Sequence, residues 1–254
     1  MTVEFNVWRS IVDGEPLLGI ETESGLYVLG DQARVFADLT HLALSDADVH
    51  VEWGEQGQGL PNATDPDTLE DEGEYYINIE PISTTTTYEV QAIATADGWR
   101  AEGEVIDFDA EAIDWDDEDS VTAFFEAVDT QLEGSADVSV AQEGPDNEYV
   151  IEHESTPPVN EHTESFLLLD DYHVDAFDDL DVVAWHNGHS THQFTIRVDG
   201  NVEYQTDEEE DLTWDTVTAD LSGYAGQVDI LIGLETVGTT TTSRTAYSFD
   251  YEFR

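Results

Sequence analysis

The chain has 254 residues and a formal net charge of −54, because 60 aspartates and glutamates oppose only six basic side chains. Nucleic acids are bound by neutralising phosphates with lysine and arginine, so this balance excludes a nucleic-acid partner and, likewise, an anionic membrane surface. Cysteine is absent, which excludes disulfides, thiolate metal sites and a cysteine nucleophile. With 39% hydrophobic and 10% aromatic residues, the chain has enough apolar side chains to bury a core.

The basic residues are all arginines and lysine is absent: they are Arg9, Arg34, Arg100, Arg197, Arg244 and Arg254. This composition resembles that of proteins from extreme halophiles. At 1 M salt the Debye length is about 3 Å, so carboxylates scarcely repel one another in brine while each still holds water. We therefore interpret the acidity as a solvation device and expect a high-salt environment.

The N-terminal segment has no regular pattern, because Gly14, Pro16 and Gly19 interrupt it. Its apolar residues would be costly to leave exposed: Val7, Trp8, Ile11, Leu17, Leu18 and Ile20. We expect residues 1–30 to form an arm that docks on another surface. No basic region followed by an apolar run opens the chain, and no run approaches the ~20 apolar residues of a membrane helix, so we expect neither an export signal nor a membrane span.

Alternation of apolar and polar residues with a period of two predicts half-buried strands along most of the remaining chain. The apolar sets are Val49, Val51 and Trp53; Tyr88, Val90, Ala92 and Ala94; Phe194, Ile196 and Val198; Val228, Ile230, Ile232 and Leu234; and Tyr247, Phe249, Tyr251 and Phe253. Turn clusters such as Asp97-Gly98 and Asp199-Gly200-Asn201 separate them at the spacing of β-sandwiches. The predicted fold class is all-β, with two domains, residues 31–110 and 111–254.

Three segments of the first domain carry a family resemblance. They are Ala33-Arg-Val-Phe-Ala-Asp-Leu-Thr, Asp46-Ala-Asp-Val-His-Val-Glu-Trp-Gly and Ile82-Ser-Thr-Thr-Thr-Thr-Tyr-Glu-Val-Gln-Ala. Together they resemble a fibronectin type III-like domain, an immunoglobulin-like sandwich common in haloarchaeal surface proteins. The resemblance implies that Tyr88 packs inward.

One window departs from the strand pattern, because five apolar residues recur at helical spacing: Val121, Phe124, Phe125, Val128 and Leu132. Asp119 or Ser120 is a suitable N-cap and Gly134 a suitable stop. We predict one short helix here, at the start of the second domain.

The second domain contains Phe194-Thr-Ile-Arg-Val-Asp-Gly-Asn-Val and Trp214-Asp-Thr-Val-Thr-Ala-Asp-Leu-Ser-Gly-Tyr-Ala-Gly-Gln-Val-Asp-Ile. These segments resemble a galactose-binding-like jelly roll, the fold of many carbohydrate-binding modules. The shared residues are structural, so they indicate a scaffold and leave the ligand open.

Members of that family often hold a structural calcium between their first and last strands. The resemblance places this ion at Asp114, Asp116 and Asp117 with Asp250, and carboxylates are ligands that calcium prefers. The alternative is coincidence, since a chain with 60 acids forms acidic clusters by chance.

Three imidazoles follow one another in His186-Asn-Gly-His189-Ser-Thr-His192. They would bind zinc or a similar ion if the segment folded back on itself, with Asp181 or Asp199 as a further ligand. The alternative is a turn between two strands whose histidines point apart.

A carbohydrate site would use an exposed aromatic platform with amide and acid groups nearby. The candidates on the jelly roll are Trp185, Tyr172, Tyr204 and Tyr224, with Asn187 as the amide. Trp185 shares its strand face with Val183, so core packing is the alternative for that ring.

No catalytic motif is present: the chain has no Gly-x-Ser-x-Gly, no phosphate-binding glycine loop, no His-Glu-x-x-His and no lysine. We therefore expect a protein that is not an enzyme. The leading hypothesis is a homo-oligomeric surface or appendage protein of a haloarchaeal virion, such as a turret, spike or tail-associated protein, made in the host cytoplasm and adhering to a host S-layer or glycan. The alternatives are a cellular carbohydrate-binding module and a metal-dependent hydrolase centred on His186, His189 and His192.

Overall fold

The computed structural model describes residues 11–12, 15–16, 18–42, 46–157, 162–174, 177–207, 210–236, 240 and 242–254. The chain divides into two compact units, Met1–Glu111 and Ala112–Arg254. The predicted all-β fold with a single short helix is confirmed for the residues in these ranges. No helix among them is long and apolar enough to cross a membrane.

The first unit is built from antiparallel strands. In chain order they are β1 (Ile11–Val12), β2 (Glu15–Pro16), β3 (Leu18–Leu29), β4 (Gln32–Leu42), β5 (Ala47–Glu55), β6 (Asn62–Ala63), β7 (Asp67–Leu69), β8 (Gly73–Ile79), β9 (Thr87–Ala96), β10 (Trp99–Glu102) and β11 (Ile106–Asp109). One sheet contains β3, β4 and β8, the other contains β5 to β7 and β9 to β11, and β1 pairs with β2. The predicted alternation is confirmed in β5, where Val49, Val51 and Trp53 are buried, and Tyr88 is buried as well.

The predicted docking arm requires a correction. Residues 1–10 lie outside the described residues, but Leu18–Leu29 forms β3, which pairs with β4 inside the first unit. Leu18, Ile20 and Val28 are buried in the core of that unit. These apolar residues, at the C-terminal end of the predicted arm, are therefore buried in the core of the first unit rather than against another surface.

The predicted helix is confirmed as α1 (Glu118–Glu126), with Val121 and Phe124 buried. Its N-cap is Asp117, whose carboxylate accepts a hydrogen bond from the Asp119 amide at 3.1 Å, and not Asp119 or Ser120. The helix ends before Leu132, which lies in the next strand.

The second unit continues after α1 with ten strands among the described residues. They are β12 (Asp129–Glu133), β13 (Ala136–Gln142), β14 (Tyr149–Ser155), β15 (Glu164–His173), β16 (Asp179–His186), β17 (His192–Val198), β18 (Asn201–Gln205), β19 (Leu212–Asp220), β20 (Gln227–Thr236) and β21 (Arg244–Phe253). We name the sheet β13-β14-β21-β16-β19 the front sheet and the sheet β12-β15-β20-β17-β18 the back sheet. Both contribute fully buried side chains to the core, among them Ile151, Val182, Phe194, Ile196 and Ile230.

Strand β21 does not keep one alternation along its length. Asp250 has φ 53°, in the left-handed region, and the pairing of β21 with β16 shifts register between Asp181 and Val183. Ser248 and Tyr251 share a hydrogen bond in the interior at 2.8 Å, although they are three residues apart. A β-bulge at Asp250 therefore switches the faces of β21, which corrects the single alternating face predicted for Tyr247 to Phe253.

Candidate functional site

The outer face of the front sheet carries a group of aromatic rings. Trp185 lies on β16, Trp214 on β19, and Tyr247 and Phe249 on β21. Trp185, Trp214 and Tyr247 are half-buried, while Phe249 is 8% exposed. We call these four residues the aromatic patch.

The rings of the aromatic patch contact one another in series. The ring centroids of Trp185 and Tyr247 are 5.4 Å apart, those of Tyr247 and Trp214 are 6.0 Å apart with an interplanar angle of 24°, and those of Trp214 and Phe249 are 5.6 Å apart. These separations are typical of aromatic pairs. The patch is thus one continuous apolar surface across three neighbouring strands.

Strand register places the rings together. Trp185 is directly opposite Tyr247, and Val183 is directly opposite Phe249. The neighbouring residues Ala184, Ala246 and Ser248 are fully buried. Because successive side chains of a strand point to opposite faces, the half-buried rings lie on the side away from the core.

Trp214 joins the aromatic patch through an unusual backbone conformation. Its φ is 65°, in the left-handed region that bulky residues rarely adopt. The pairing of β16 with β19 shifts register at this point, so that Ala184 is opposite Asp215 and Trp185 is opposite Thr213. This irregularity leaves Trp214 between the regular pairs, where its ring reaches Tyr247.

Polar groups border the aromatic patch. Glu152 is opposite Tyr247 on β14. Burial raises the pKa of the Tyr247 hydroxyl to about 12, and Glu152 adds to this effect through its charge and a hydrogen bond. On the other side, Thr213 is directly opposite Trp185 on β19 and is exposed. Asn187 is exposed two positions beyond Trp185.

The other sequence-predicted aromatic ligands lie elsewhere. Tyr172 is 5% exposed and stacks on Phe253 with centroids 4.3 Å apart, so it is a core residue and its assignment to a ligand platform is wrong. Tyr204 lies on β18 of the back sheet. Burial raises its pKa to about 12, with further contributions from the charges of Glu210, Asp215 and Asp207.

Tyr224 borders a separate polar cleft of about 340 Å³. The residues that line it are Asn201, Glu203, Asp220, Ser222, Gly223 and Tyr224. The Tyr224 hydroxyl donates a hydrogen bond to Glu203, and its pKa is raised by burial and by that bond. With one aromatic ring and two carboxylates, this cleft offers less apolar surface to a ligand than the aromatic patch.

Among the three histidines of the predicted metal cluster, His189 and His192 contact neighbouring hydroxyl groups, whereas neither buried ring nitrogen of His186 has a hydrogen-bond partner among the described residues. His192 is fully buried, with Nε2 3.0 Å from Ser155 Oγ and Nδ1 3.0 Å from Thr191 Oγ1. His189 Nδ1 is 2.8 Å from the same threonine hydroxyl. His186 is 1% exposed, and burial lowers its pKa to about 4. These three rings are not among the groups of described residues whose ligand atoms converge, and zinc binding here stays a prediction.

The acids of the predicted calcium site serve the turn before α1. The carboxylate of Asp114 accepts a hydrogen bond from the Asp116 amide at 3.0 Å, and that of Asp117 caps the helix. In the described part of the chain, Asp114, Asp116, Asp117 and Asp250 do not form a convergent ligand group. The calcium site stays a prediction.

Sequence reasoning found Trp185 and Asn187 but missed Trp214, Tyr247 and Phe249. The resemblance to a jelly roll predicts a scaffold role for Trp214, and the period of two predicts one alternating strand face for the aromatic residues of β21. The sequence feature that could have indicated these residues is the aromatic pair Tyr247 and Phe249 on either side of Ser248, directly before the bulge at Asp250.

No family model and no curated protein matches the chain. Several solved structures are similar to it. One, described as a study of the promiscuous specificity of carbohydrate-binding modules from the beta-sandwich superfamily, is 14% identical, covers 94% of this chain and 100% of its own, and has a TM-score of 0.39. TmCBM61 in complex with β-1,4-galactotriose is 16% identical over 51% of this chain and 89% of its own, with a TM-score of 0.34. The CBM22-1–CBM22-2 tandem of Paenibacillus barcinonensis Xyn10C is 10% identical over 91% and 81%, with a TM-score of 0.32.

Proposed function

We propose that the protein binds a neutral glycan on the aromatic patch of its second unit. The observation that carries this proposal is the row of half-exposed rings, Trp185, Tyr247 and Trp214, in mutual contact on the outer face of a sheet. A sugar ring has an apolar face of C–H groups and an edge of hydroxyls. The flat rings suit the face, and the bordering Glu152, Thr213 and Asn187 suit the hydroxyls, because carboxylate, hydroxyl and amide oxygens accept hydrogen bonds from them.

The charge of the chain narrows the class of glycan. With a net charge of −54 and the Glu152 carboxylate beside the patch, the surface repels uronate-rich or sulfated chains at moderate salt, and screening in brine removes this repulsion without creating an attraction. A neutral polysaccharide needs no cationic group and supplies hydroxyl donors to the carboxylate. Ligand recognition would thus depend on stacking and hydrogen bonds, which high salt screens little.

The backbone of Trp214 supports a functional role for the patch. A left-handed conformation at a non-glycine residue costs roughly 1 to 3 kcal/mol, and such strain clusters at functional sites. Here it holds the indole against Tyr247 and Phe249, where a regular strand residue would not lie.

The experiment is a binding assay with purified protein in about 2 M KCl, where exposed charges are screened. Insoluble cellulose, xylan and galactan serve as neutral probes, and alginate as the acidic one. We expect retention on at least one neutral polysaccharide, and at least tenfold weaker retention for Trp185→Ala and for Trp214→Ala. Folding of each variant is checked by circular dichroism.

Two control variants separate the patch from other surfaces. Trp99→Ala removes a half-buried tryptophan of the first unit, and Tyr224→Phe removes the hydroxyl of the polar cleft; both should bind like the unaltered protein. Unchanged retention of the Trp185 and Trp214 variants, or loss of retention in Tyr224→Phe alone, would move the site elsewhere. Retention on alginate only would contradict the neutral class.

We propose that glycan binding attaches the protein to a surface in a high-salt environment. The protein would be either an appendage of a haloarchaeal virion or a cellular carbohydrate-binding module, the two settings that the sequence predicts. Both use the same site, and neither needs catalysis. Homo-oligomerisation and a host S-layer partner stay predictions of the virion setting.

A further inference from the structure

A row of glutamates crosses one end of the back sheet. Glu133 on β12 is directly opposite Glu164 on β15, and Glu164 is directly opposite Glu235 on β20. Like charges in opposite positions of neighbouring strands destabilise a sheet. Such a row therefore needs cations among its members.

Arg197 neutralises the inner part of the row. Its guanidinium pairs with Glu235 through one nitrogen, and the other nitrogen lies 4.0 Å from Glu164 Oε1. Gln131 donates a further hydrogen bond to Glu164 Oε2 at 3.0 Å. A histidine, and not an arginine, lies between the outer pair, Glu133 and Glu164.

The histidine is His162, just before β15. Its Nε2 atom lies 3.3 Å from Glu164 Oε1 and 3.9 Å from Glu133 Oε2, and the ligand atoms of the three side chains all lie within 4.8 Å of one another. Its other ring nitrogen, Nδ1, lies 2.9 Å from the hydroxyl of Thr236. Because that hydroxyl also lies 3.4 Å from the Thr163 carbonyl oxygen, it can accept from Nδ1–H and donate onward. Nε2 meets the carboxylates through its proton in the metal-free protein, and its lone pair becomes a metal ligand when a cation replaces that proton.

We infer that Glu133, His162 and Glu164 form a binding site for a divalent transition-metal ion of the zinc class. Zinc takes imidazole nitrogen and carboxylate oxygen at about 2.0 to 2.2 Å in tetrahedral geometry, which puts ligand atoms roughly 3.4 Å from one another. The His162–Glu164 separation fits this spacing, and Glu133, whose side chain is 61% exposed, has room to close the remaining distance. The Thr236 contact orients the imidazole, as the outer contacts of metal-binding histidines do.

The chemistry of the three ligands selects the metal. Imidazole suits zinc, cobalt and nickel, whereas calcium and magnesium prefer oxygen ligands alone. Three protein ligands leave one tetrahedral position for water. The site is distinct from the aromatic patch, which lies on the front sheet, so its test is independent of glycan binding.

The experiment is a titration of EDTA-treated protein with Zn²⁺, and with Co²⁺ for its visible absorption, in about 1 M KCl with excess Mg²⁺ to occupy the other surface carboxylates. We expect one equivalent to bind the unaltered protein, and at least tenfold weaker binding in His162→Gln and in Glu133→Gln. His50→Gln is the matched control, because His50 lies 3.6 Å from the Glu52 carboxylate but belongs to no three-ligand group among the described residues, so this variant should bind Zn²⁺ normally.

Three results would overturn the inference. If His162→Gln binds Zn²⁺ as tightly as the unaltered protein, or if no equivalent binds at all, His162 serves only as a hydrogen-bonded partner of the two glutamates. If Ca²⁺ displaces Zn²⁺ at equal concentration, the assignment to the zinc class is wrong.

Discussion

The ring of His153 joins the two sheets of the second unit, because its Nδ1 atom lies 3.1 Å from the carbonyl oxygen of Ser165 on the facing sheet. A carbonyl accepts only, so Nδ1 carries the proton. Nε2 then accepts from the Ser248 hydroxyl at 2.8 Å, and Ser248 accepts from Tyr251. A neutral imidazole therefore satisfies every polar atom of this buried chain.

Acid should destabilise the protein through His153. Burial lowers its pKa from 6.5 to about 3, so below pH 6.5 His153 is protonated in the unfolded chain but stays neutral in the folded protein. The contribution of this neutral ring to the free energy of unfolding is complete above pH 6.5 and is lost as the pH falls toward 3, with about 1 kcal/mol lost between pH 6 and 5. Urea unfolding at these pH values measures the loss, and the NMR signal of the ring should not titrate above pH 5. A ring midpoint near 6.5 would contradict the assignment.

Replacing Gly233 with alanine should be strongly destabilising. A Cβ atom there would lie 2.1 Å from the Ser165 carbonyl oxygen and 2.9 Å from His153 Nδ1, so the methyl group would displace backbone and break the link between the sheets. We expect Gly233→Ala to lose about 2 kcal/mol or more of unfolding free energy. Gly223→Ala is the control, because a Cβ there meets no atom within 4 Å; equal effects of the two changes would refute the steric argument.

Two substitutions at Trp214 should reveal its backbone strain. Both Trp214→Gly and Trp214→Ala remove the indole from the aromatic patch, so both should lose glycan retention. At a φ of 65° glycine is unstrained, whereas alanine bears a cost of about 1 kcal/mol. The glycine variant should therefore unfold at higher urea concentration than the alanine variant, the reverse of the usual order in strands. The usual order would show that the backbone at Trp214 is regular.

Arg197 should be far more important for stability than Arg100. Arg197 pairs with Glu235, which is 5% exposed and also accepts from Thr195 and Gln205 at 2.9 and 2.8 Å. Removing the guanidinium leaves a buried carboxylate without its cation, at a cost of about 3 to 5 kcal/mol. We expect that loss for Arg197→Met.

The matched control for this prediction is Arg100→Met. Arg100 pairs with Glu52 and Glu102 on an exposed surface, where such pairs contribute about 0.2 to 1 kcal/mol. Thermal unfolding of the two variants in the same buffer makes the comparison. Similar losses would mean that Glu235 is effectively solvated.

Sequence periodicity predicted the fold well because the fold depends on burial. Val49, Val51 and Trp53 alternate in β5 as the sheet requires, and Val121 and Phe124 give α1 its buried face. The limits of α1 were less predictable, because Leu132 continues the helical spacing but lies in an edge strand. Strand β3 was not predicted within residues 1–30, because its partner in the sheet is β4, whose residues lie outside that segment.

The candidate site was harder to predict because it depends on register and irregular backbone. Trp185 and Tyr247 are 62 positions apart in numbering, and only the pairing of β16 with β21 makes them neighbours. The bulge at Asp250 and the left-handed Trp214 break the period on which strand prediction depends. Likewise, Glu133 is remote in sequence from His162 and Glu164, and only the ladder between β12 and β15 brings it beside them.

Strand β12 has a dynamic consequence for the second unit. It forms one edge of the back sheet, and all five of its residues are exposed, so its separation from β15 uncovers little apolar surface. Segments with few buried contacts open locally at a small fraction of the global unfolding free energy. Amide hydrogens of Asp129–Glu133 should thus exchange faster than those of β20, and a metal ion shared by Glu133 and Glu164 would act as a latch that slows this exchange.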